Sequence, residues 1–375
     1  MKQVLTHVTS LYIKYERLLS SVSLFSGFIF TIFTLTQVDR FIENLFIGIH
    51  LLLAATGIVI INIFAKETPR GEVDENVSDQ PQTSERPDLH FWMTFLIQFA
   101  FGGLFSTFLV FYFRSATLSV AWPFLLLLVV TFLANERLRR HYARLSFQIS
   151  VLFLAIYSFA IYFVPVLLHR IGADVFLLST GISIVVLFLF LLVLRYFTGE
   201  QFRKSRRILY ASIGGIVLIM NILYFTNLIP PIPLSLKDAG VYHQISKNTD
   251  GTYVLASEFH RWYEFFYAFE PYHMVEGDPV YVWSAIFSPT ELDTDIVHRW
   301  QYYDDGDRRW ITATIINLRL IGGREDGFRT FSTKSTVFPG SWRVDVETTR
   351  GQKIGRVKFE IVDVDSSPVL QMDVK

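Results

Sequence analysis

The sequence predicts a polytopic α-helical membrane bundle of about seven spans, followed by an all-β sandwich domain. Half of the chain is apolar (51%) and its mean hydropathy is +0.36, values that are typical of membrane proteins. Long stretches with few or no charged residues recur through residues 1–236, and none occurs in 237–375. The sequence therefore predicts a membrane domain over 1–236 and a second domain over 237–375.

The seven stretches are each long enough to cross a bilayer, because roughly 20 apolar helical residues span a hydrocarbon core of about 30 Å. Their predicted bounds are about 18–38, 45–65, 91–113, 115–135, 145–168, 174–195 and 208–229. The connection 66–90 is acidic and rich in Pro, Ser and Gln, which predicts a disordered cytoplasmic loop. The prolines of 229–236 predict a stiff extended stalk after the last span.

The distribution of Lys and Arg between the connecting segments predicts the orientation of the spans. Fifteen of these residues fall in the N-terminal tail and the even-numbered connections, whereas the opposite side has only Arg40, Arg114 and Arg170. Cytoplasmic loops of membrane proteins carry this excess of positive charge. We therefore expect an integral plasma (inner) membrane protein with a cytoplasmic N-terminus and an extracytoplasmic C-terminal domain.

The C-terminal domain has the alternating pattern of half-buried β-strands. Apolar residues occupy every second position in 341–347 and again in 357–361, and residues 349–352 form a turn between them, which predicts an antiparallel hairpin. This turn predicts two cross-strand pairs, one ionic and one in the core: Asp345 with Arg356, and Trp342 with Phe359.

Short strands are also predicted at regular intervals before this hairpin. They cover 279–288, 296–303, 309–319 and 327–333. Many short strands without an intervening helix favour an all-β, immunoglobulin-like sandwich. The aromatic segment 259–269 is compatible either with a strand or with an amphipathic helix at the membrane surface.

Four motifs in the C-terminal part of the chain resemble those of a known protein family. They are the proline-rich segment 229–243, Val297-His-Arg-Trp-Gln-Tyr-Tyr303, Phe328-Arg-Thr-Phe-Ser332 and Gly340-Ser-Trp-Arg-Val-Asp-Val346. Together they resemble a bacterial family known only as a domain of unknown function, often preceded by a multi-span membrane region. The resemblance implies a location and a fold class, and it implies no activity.

The sequence offers no constellation typical of an enzyme or a metal site. The chain has no cysteine, so disulfides and thiolate ligands are excluded, and neither His-Glu-x-x-His nor Gly-x-Ser-x-Gly occurs. Asp304-Asp-Gly-Asp307 fits a turn better than a calcium loop. We therefore expect no catalytic residues, no metal and no cofactor, with an enzyme acting on a lipid-linked substrate as a weaker alternative.

One strand suggests a binding site. His298 and Trp300 share a face there, and Arg299 lies on the other face. The pair fits a core Trp with a hydrogen-bonded His, but Arg forks and aromatic rings also bind carboxylates, phosphates and sugars. The candidate ligand-binding residues are Arg299, Trp300, Arg329 and Arg343.

The function predicted from these observations is non-enzymatic. The bundle lies in the lipid bilayer, and the β-sandwich binds an envelope polymer, a lipid headgroup or a protein partner. The alternative is a membrane sensor or transport accessory that couples the outer domain to the bundle. A formal net charge of zero gives no argument for nucleic acid, and within the spans His50 is the one ionisable candidate for a proton relay.

Overall fold

The computed structural model describes residues 41–64, 89–115, 118–137, 145–231, 233–249, 252–259, 267–288, 294–320 and 328–375. The predicted first span, 18–38, lies outside these residues, and so does nearly all of the predicted loop 66–90. Most of the aromatic segment 259–269 also lies outside them. The described residues form a helical part followed by an all-β part, as the sequence predicts.

Five helices make up the first part of the described chain. They are α1 (Phe41–Phe64), α2 (Leu89–Arg114), α3 (Leu118–Arg137), α4 (Leu145–Leu168) and α5 (Ala173–Phe225). The chain divides into two compact units, of which one contains nearly all of these helices. The other consists of Phe113–Trp122, Pro165–Ile171 and Thr226–Lys375.

Among the described residues, five segments are long and apolar enough to cross a membrane. They are Ile42–Phe64, Leu96–Phe113, Leu145–Leu168, Ala173–Gly199 and Arg206–Phe225. The predicted span 115–135 corresponds to α3, whose apolar part, Val120–Phe132, is shorter than the others. The structure therefore supports a multi-helix apolar region, with five candidate spans where the sequence predicts about seven.

The long helix α5 is a hairpin of two helices. Its backbone leaves helical geometry at Thr198 (φ −120°, ψ 19°). The two ends of α5 meet, since the rings of Phe176 and Tyr224 stack with centroids 3.7 Å apart and Tyr224 Oη donates to Gly172 O at 2.9 Å. This agrees with the prediction of two separate antiparallel spans in this region.

Polar side chains of the bundle bond to one another. Asn62 of α1 donates to Gln148 Oε1 of α4 at 2.8 Å. Tyr157 of α4 bonds to Thr180 Oγ1 at 2.6 Å and accepts from Asn221 Nδ2 at 3.2 Å, which joins α4 to both halves of α5. Such bonds hold apolar helices in register, because the unpaired groups are costly to keep in an apolar environment.

His50 bonds to its own helix. Its Nδ1 lies 2.8 Å from Phe46 O, and a Cβ placed at Gly103 would lie 2.6 Å from its ring. The glycine lets α2 approach the imidazole closely. His50 thus packs against α2 and bonds within α1.

The described residues of the second unit form eleven strands. They are β1 (Ser235–Tyr242), β2 (Gln244–Lys247), β3 (Tyr253–Glu258), β4 (Glu270–Met274), β5 (Val280–Phe287), β6 (Thr294–Asp304), β7 (Arg309–Leu320), β8 (Phe328–Lys334), β9 (Gly340–Thr348), β10 (Lys353–Asp363) and β11 (Leu370–Val374). They form a central sheet β1-β5-β8, a five-stranded sheet β4-β10-β9-β6-β7 and a small sheet β11-β3-β2.

The central sheet is buried on both faces. Towards the five-stranded sheet it contributes Val241, Val280 and Val282 to a core that also contains Trp300 and Trp342. Its other face packs on the small sheet through a cluster of Tyr242, Ile245, Leu255, Trp283 and Ala285. The structure thus adds a third layer to the predicted sandwich, and the immunoglobulin-like topology stays a prediction.

The predicted hairpin is confirmed in its register. β9 and β10 pair antiparallel with Asp345 opposite Arg356 and Trp342 opposite Phe359. A turn of four residues fixes which residues face each other. The sequence could therefore predict both pairs.

The predicted proline stalk packs into the β-rich unit. Ile229 and Leu234 are buried, and β1 begins at Ser235. Leu234 belongs to a cluster with Ile286 and Val346. Ile229 and Leu234 of segment 229–236 are therefore buried, and Leu234 is part of the domain core.

Gly355 permits a close approach between β10 and β1. A Cβ at this position would overlap the side chain of Leu236. We expect Gly355→Ala to lower the free energy of unfolding by about 1–3 kcal/mol, as overpacking usually does, measured by thermal unfolding of the full chain in detergent. Adding Leu236→Ala should restore part of the loss, whereas an unchanged midpoint in Gly355→Ala would contradict the contact.

Candidate functional site

His298 and Trp300 lie in the core between the central and five-stranded sheets. Both side chains are 0% exposed. His298 Nε2 lies 2.9 Å from Ser284 Oγ and its Nδ1 lies 2.8 Å from Ser332 Oγ, which also accepts from Trp300 Nε1 at 3.0 Å. This confirms the interpretation of a core Trp beside a hydrogen-bonded His.

The four predicted ligand-binding residues do not come together on one surface. Trp300 is in the core, where a fully buried indole offers no face to a ligand. Arg329 lies in β8 on the same side as Phe331, towards the small sheet. Arg299 and Arg343 share the outer face of the five-stranded sheet, because they alternate with the inward residues Trp300 and Trp342.

Two buried carboxylates on this outer face form ion pairs with three cations. Arg299 Nε donates to Glu347 Oε1 at 2.5 Å. Asp345 accepts from Arg356 at 2.5 and 3.0 Å and from Lys353 Nζ at 2.8 Å. Arg299 is thus committed to a structural ion pair.

The two carboxyl groups differ in their acidity. Burial would raise the pKa of Asp345, but the hydrogen bonds from Arg356 and Lys353 lower it below its usual value. Burial raises the pKa of Glu347, and its bond with Arg299 only partly opposes this. Charged partners therefore stabilise the ionised form of Asp345 more than that of Glu347.

Arg343 belongs to a different group on the same face. Its guanidinium lies over the ring of Trp310, with Cζ 4.2 Å from the centroid, and its Nε donates to Gln301 Oε1 at 2.8 Å. Lys358 Nζ lies 5.6 Å from the ring centroid of Phe269, whose ring is nearly parallel to that of Trp310 at 6.2 Å. We call Phe269, Trp310, Arg343 and Lys358 the aromatic–cation cluster.

A second polar group joins the small sheet to the five-stranded sheet. Glu258 of β3 accepts from the His273 backbone N at 2.6 Å, and its two oxygens lie 3.0 Å from His243 Nε2 and 2.6 Å from His273 Nδ1. Burial would raise the pKa of Glu258, but these bonds lower it. The His243 ring also stacks on Tyr272, so the group is well packed.

The described residues contain no arrangement of three or more His, Asp or Glu side chains that could hold a metal. Asp304 Oδ1 accepts from the backbone N–H groups of Gly306 and Asp307. The Asp304–Asp307 segment is therefore the turn between β6 and β7, as its sequence suggests.

The C-terminal region matches a known protein family. Residues 293–361 match the model of a family described as a protein of unknown function (DUF2914). The match includes the aromatic–cation cluster except Phe269, and it supports a domain of unknown function at the C-terminus. No curated protein matches the chain.

A solved structure with some likeness is the Pseudomonas fluorescens alkylpurine DNA glycosylase AlkC bound to DNA containing an abasic site analog. The alignment covers 85% of this chain and 98% of that chain, at 10% sequence identity and a TM-score of 0.21. A score this low carries no argument about fold or function.

Sequence reasoning missed Trp310, Phe269 and Lys358. Trp310 follows the Asp304–Asp307 turn, and the hairpin register already places Lys358 opposite Arg343. Phe269 could not be added from the sequence, because it precedes β4, which pairs in parallel with a strand distant in the chain.

The buried His298 should make the domain acid-sensitive. Burial lowers its pKa from 6.5 to about 4, so between these values the unfolded chain binds a proton that the folded chain does not. Stability should therefore fall as the pH drops from 6.5 towards 4, by up to about 3 kcal/mol. We expect the thermal midpoint of the full chain in detergent to show this loss.

The matched control is His298→Asn, which can bond to both serines but does not titrate. Its stability should depend less on pH across the same interval. If the thermal midpoint changes equally with pH in the two proteins, His298 is not the group that makes the domain acid-sensitive.

Proposed function

We propose that the chain is a non-enzymatic integral membrane protein of the bacterial envelope, and that its β-rich domain lies outside the membrane and binds an envelope ligand. The aromatic–cation cluster is the observation that carries the proposal. A half-buried Trp310 with a guanidinium on its face combines an apolar platform with a hydrogen-bonding cation. Surfaces of this kind recur where proteins bind ligands.

The orientation is supported by two observations. The Lys and Arg residues crowd the segments predicted to be cytoplasmic. In addition, Phe113–Trp122 and Pro165–Ile171, which contain Arg114 and Arg170 of the predicted external connections, belong to the same compact unit as Thr226–Lys375. External connections and an external domain are expected to share a side of the membrane.

A second candidate function is a sensor or transport accessory. One observation favours it: Ile171 packs against the cluster that contains Leu234, Ile286 and Val346. Residues next to the helices are thus part of the core of the β-rich unit. A sensor of this kind would use the chain segment that contains Ile171 to pass a change at the strands to the helices.

The orientation can be tested by labelling, because the chain has no cysteine of its own. We expect a single Asp305→Cys variant to react with a membrane-impermeant maleimide in intact bacterial spheroplasts, since Asp305 is exposed in the β6–β7 turn. Arg206→Cys should react only after permeabilisation. The reverse pattern would overturn the proposed orientation.

Binding can be tested with the full chain in lipid nanodiscs and immobilised envelope polysaccharide from the host. We expect Arg343→Ala and Trp310→Ala to weaken retention at least about tenfold, the loss that follows removal of a charge-assisted contact.

The matched control is Arg309→Ala, which removes the same charge from the residue next to Trp310 but breaks only an exposed pair with Asp307. Its retention should equal that of the unaltered chain. Equal retention of all variants at equal thermal midpoints would overturn a role for the cluster.

A further inference from the structure

Arg343 and Lys358 form an unfavourable pair of like charges. They lie directly opposite each other in β9 and β10, on the same face. Like charges in this arrangement destabilise a sheet. In the part of the chain that the structure describes, neither side chain forms an ion pair with a carboxylate, whereas Arg299, Lys353 and Arg356 all do.

An anionic group between the two cations would relieve this repulsion. The Nε–H of Arg343 donates to Gln301 Oε1, which orients the guanidinium, and its two terminal nitrogens carry four further N–H donors. A planar carboxylate or a phosphate can accept from the terminal nitrogens and from Lys358. The site is therefore charged and oriented for an anion.

Each cation of the pair also lies against an aromatic ring. Arg343 covers part of Trp310, Lys358 lies near Phe269, and the two rings are nearly parallel. The negative face of an aromatic ring attracts the polarised C–H bonds of a sugar ring in the same way that it attracts cations. A ligand that carries a ring next to its acidic group would contact both the aromatic rings and the cations of the cluster.

We infer that the aromatic–cation cluster binds an acidic polysaccharide, with the carboxylate of a uronic acid between Arg343 and Lys358 and its ring on Trp310 and Phe269. This inference rests on the proposed function and names its ligand class. The ring and the charge must be present on the same sugar, because Arg343 lies next to Trp310 and Lys358 lies near Phe269.

The test uses the full chain in nanodiscs and three soluble probes. Polygalacturonate oligomers carry both ring and charge, their methyl esters retain the ring without the charge, and polyphosphate has charge without a ring. We expect polygalacturonate to bind at least about tenfold more tightly than either of the other probes, since each lacks one class of contact. The double variant Arg343→Ala/Lys358→Ala should remove this preference.

The control is Arg308→Ala/Arg309→Ala, which removes two charges from the exposed β6–β7 turn and should leave binding unchanged. Equal affinity for the methyl esters, or equal or tighter binding of polyphosphate or of a single-stranded oligonucleotide, would overturn the inference. If none of the probes binds while retention on envelope polysaccharide still depends on Arg343 and Trp310, the ligand class is wrong and the proposed function stands. If retention on envelope polysaccharide also does not depend on Arg343 and Trp310, both the inferred ligand class and the proposed function are wrong.

Discussion

The hydrogen bonds of His298 across the sheet interface determine which residues of the β-rich unit face outward. Ser284 and Ser332 come from the central sheet, and His298 and Trp300 come from β6. Buried polar groups tolerate little displacement, because each lost partner leaves a desolvated donor or acceptor. A shift of β6 by one residue would expose both side chains and bury Arg299 in their place. The outward position of the cations thus follows from the register of the core.

That outer face separates its cations into two kinds. Arg299, Lys353 and Arg356 form ion pairs with carboxylates that are themselves almost completely buried, Asp345 at 1% and Glu347 at 2% exposure. Removing a partner from such a pair leaves a buried charge, so these residues are expected to maintain structure. Arg343 and Lys358 contact rings instead, and a ring does not cancel a full charge. This difference in partners is the reason that Arg299, Lys353 and Arg356 are assigned a structural role and Arg343 and Lys358 are proposed to bind.

The sequence predicted those features of the fold that depend on residues close together in the chain. The β9–β10 pairs follow from a short turn, and the alternation of His298 and Trp300 with Arg299 follows from the two-residue period of a strand. The third layer could not be predicted, since β11 returns to pair with β3 from more than a hundred residues away. Segment 229–236 was interpreted as a stalk because its prolines stop a helix, but its burial depends on Ile286 and Val346, which lie far along the chain. The cluster was missed for the same reason, because Phe269 joins it through a parallel strand.

The described polar groups of the helical unit bond to neighbouring helices or to their own helix. Asn62 and Gln148 bond to each other, and Tyr157 bonds to Thr180 and Asn221. A group that moves protons or ions must exchange partners along a path, and each of these groups instead bonds to a neighbouring helix. His50, the ionisable residue proposed as a relay, bonds to the carbonyl one turn before it and packs against Gly103. Among the described residues, the helices therefore use their polar side chains to hold the bundle together.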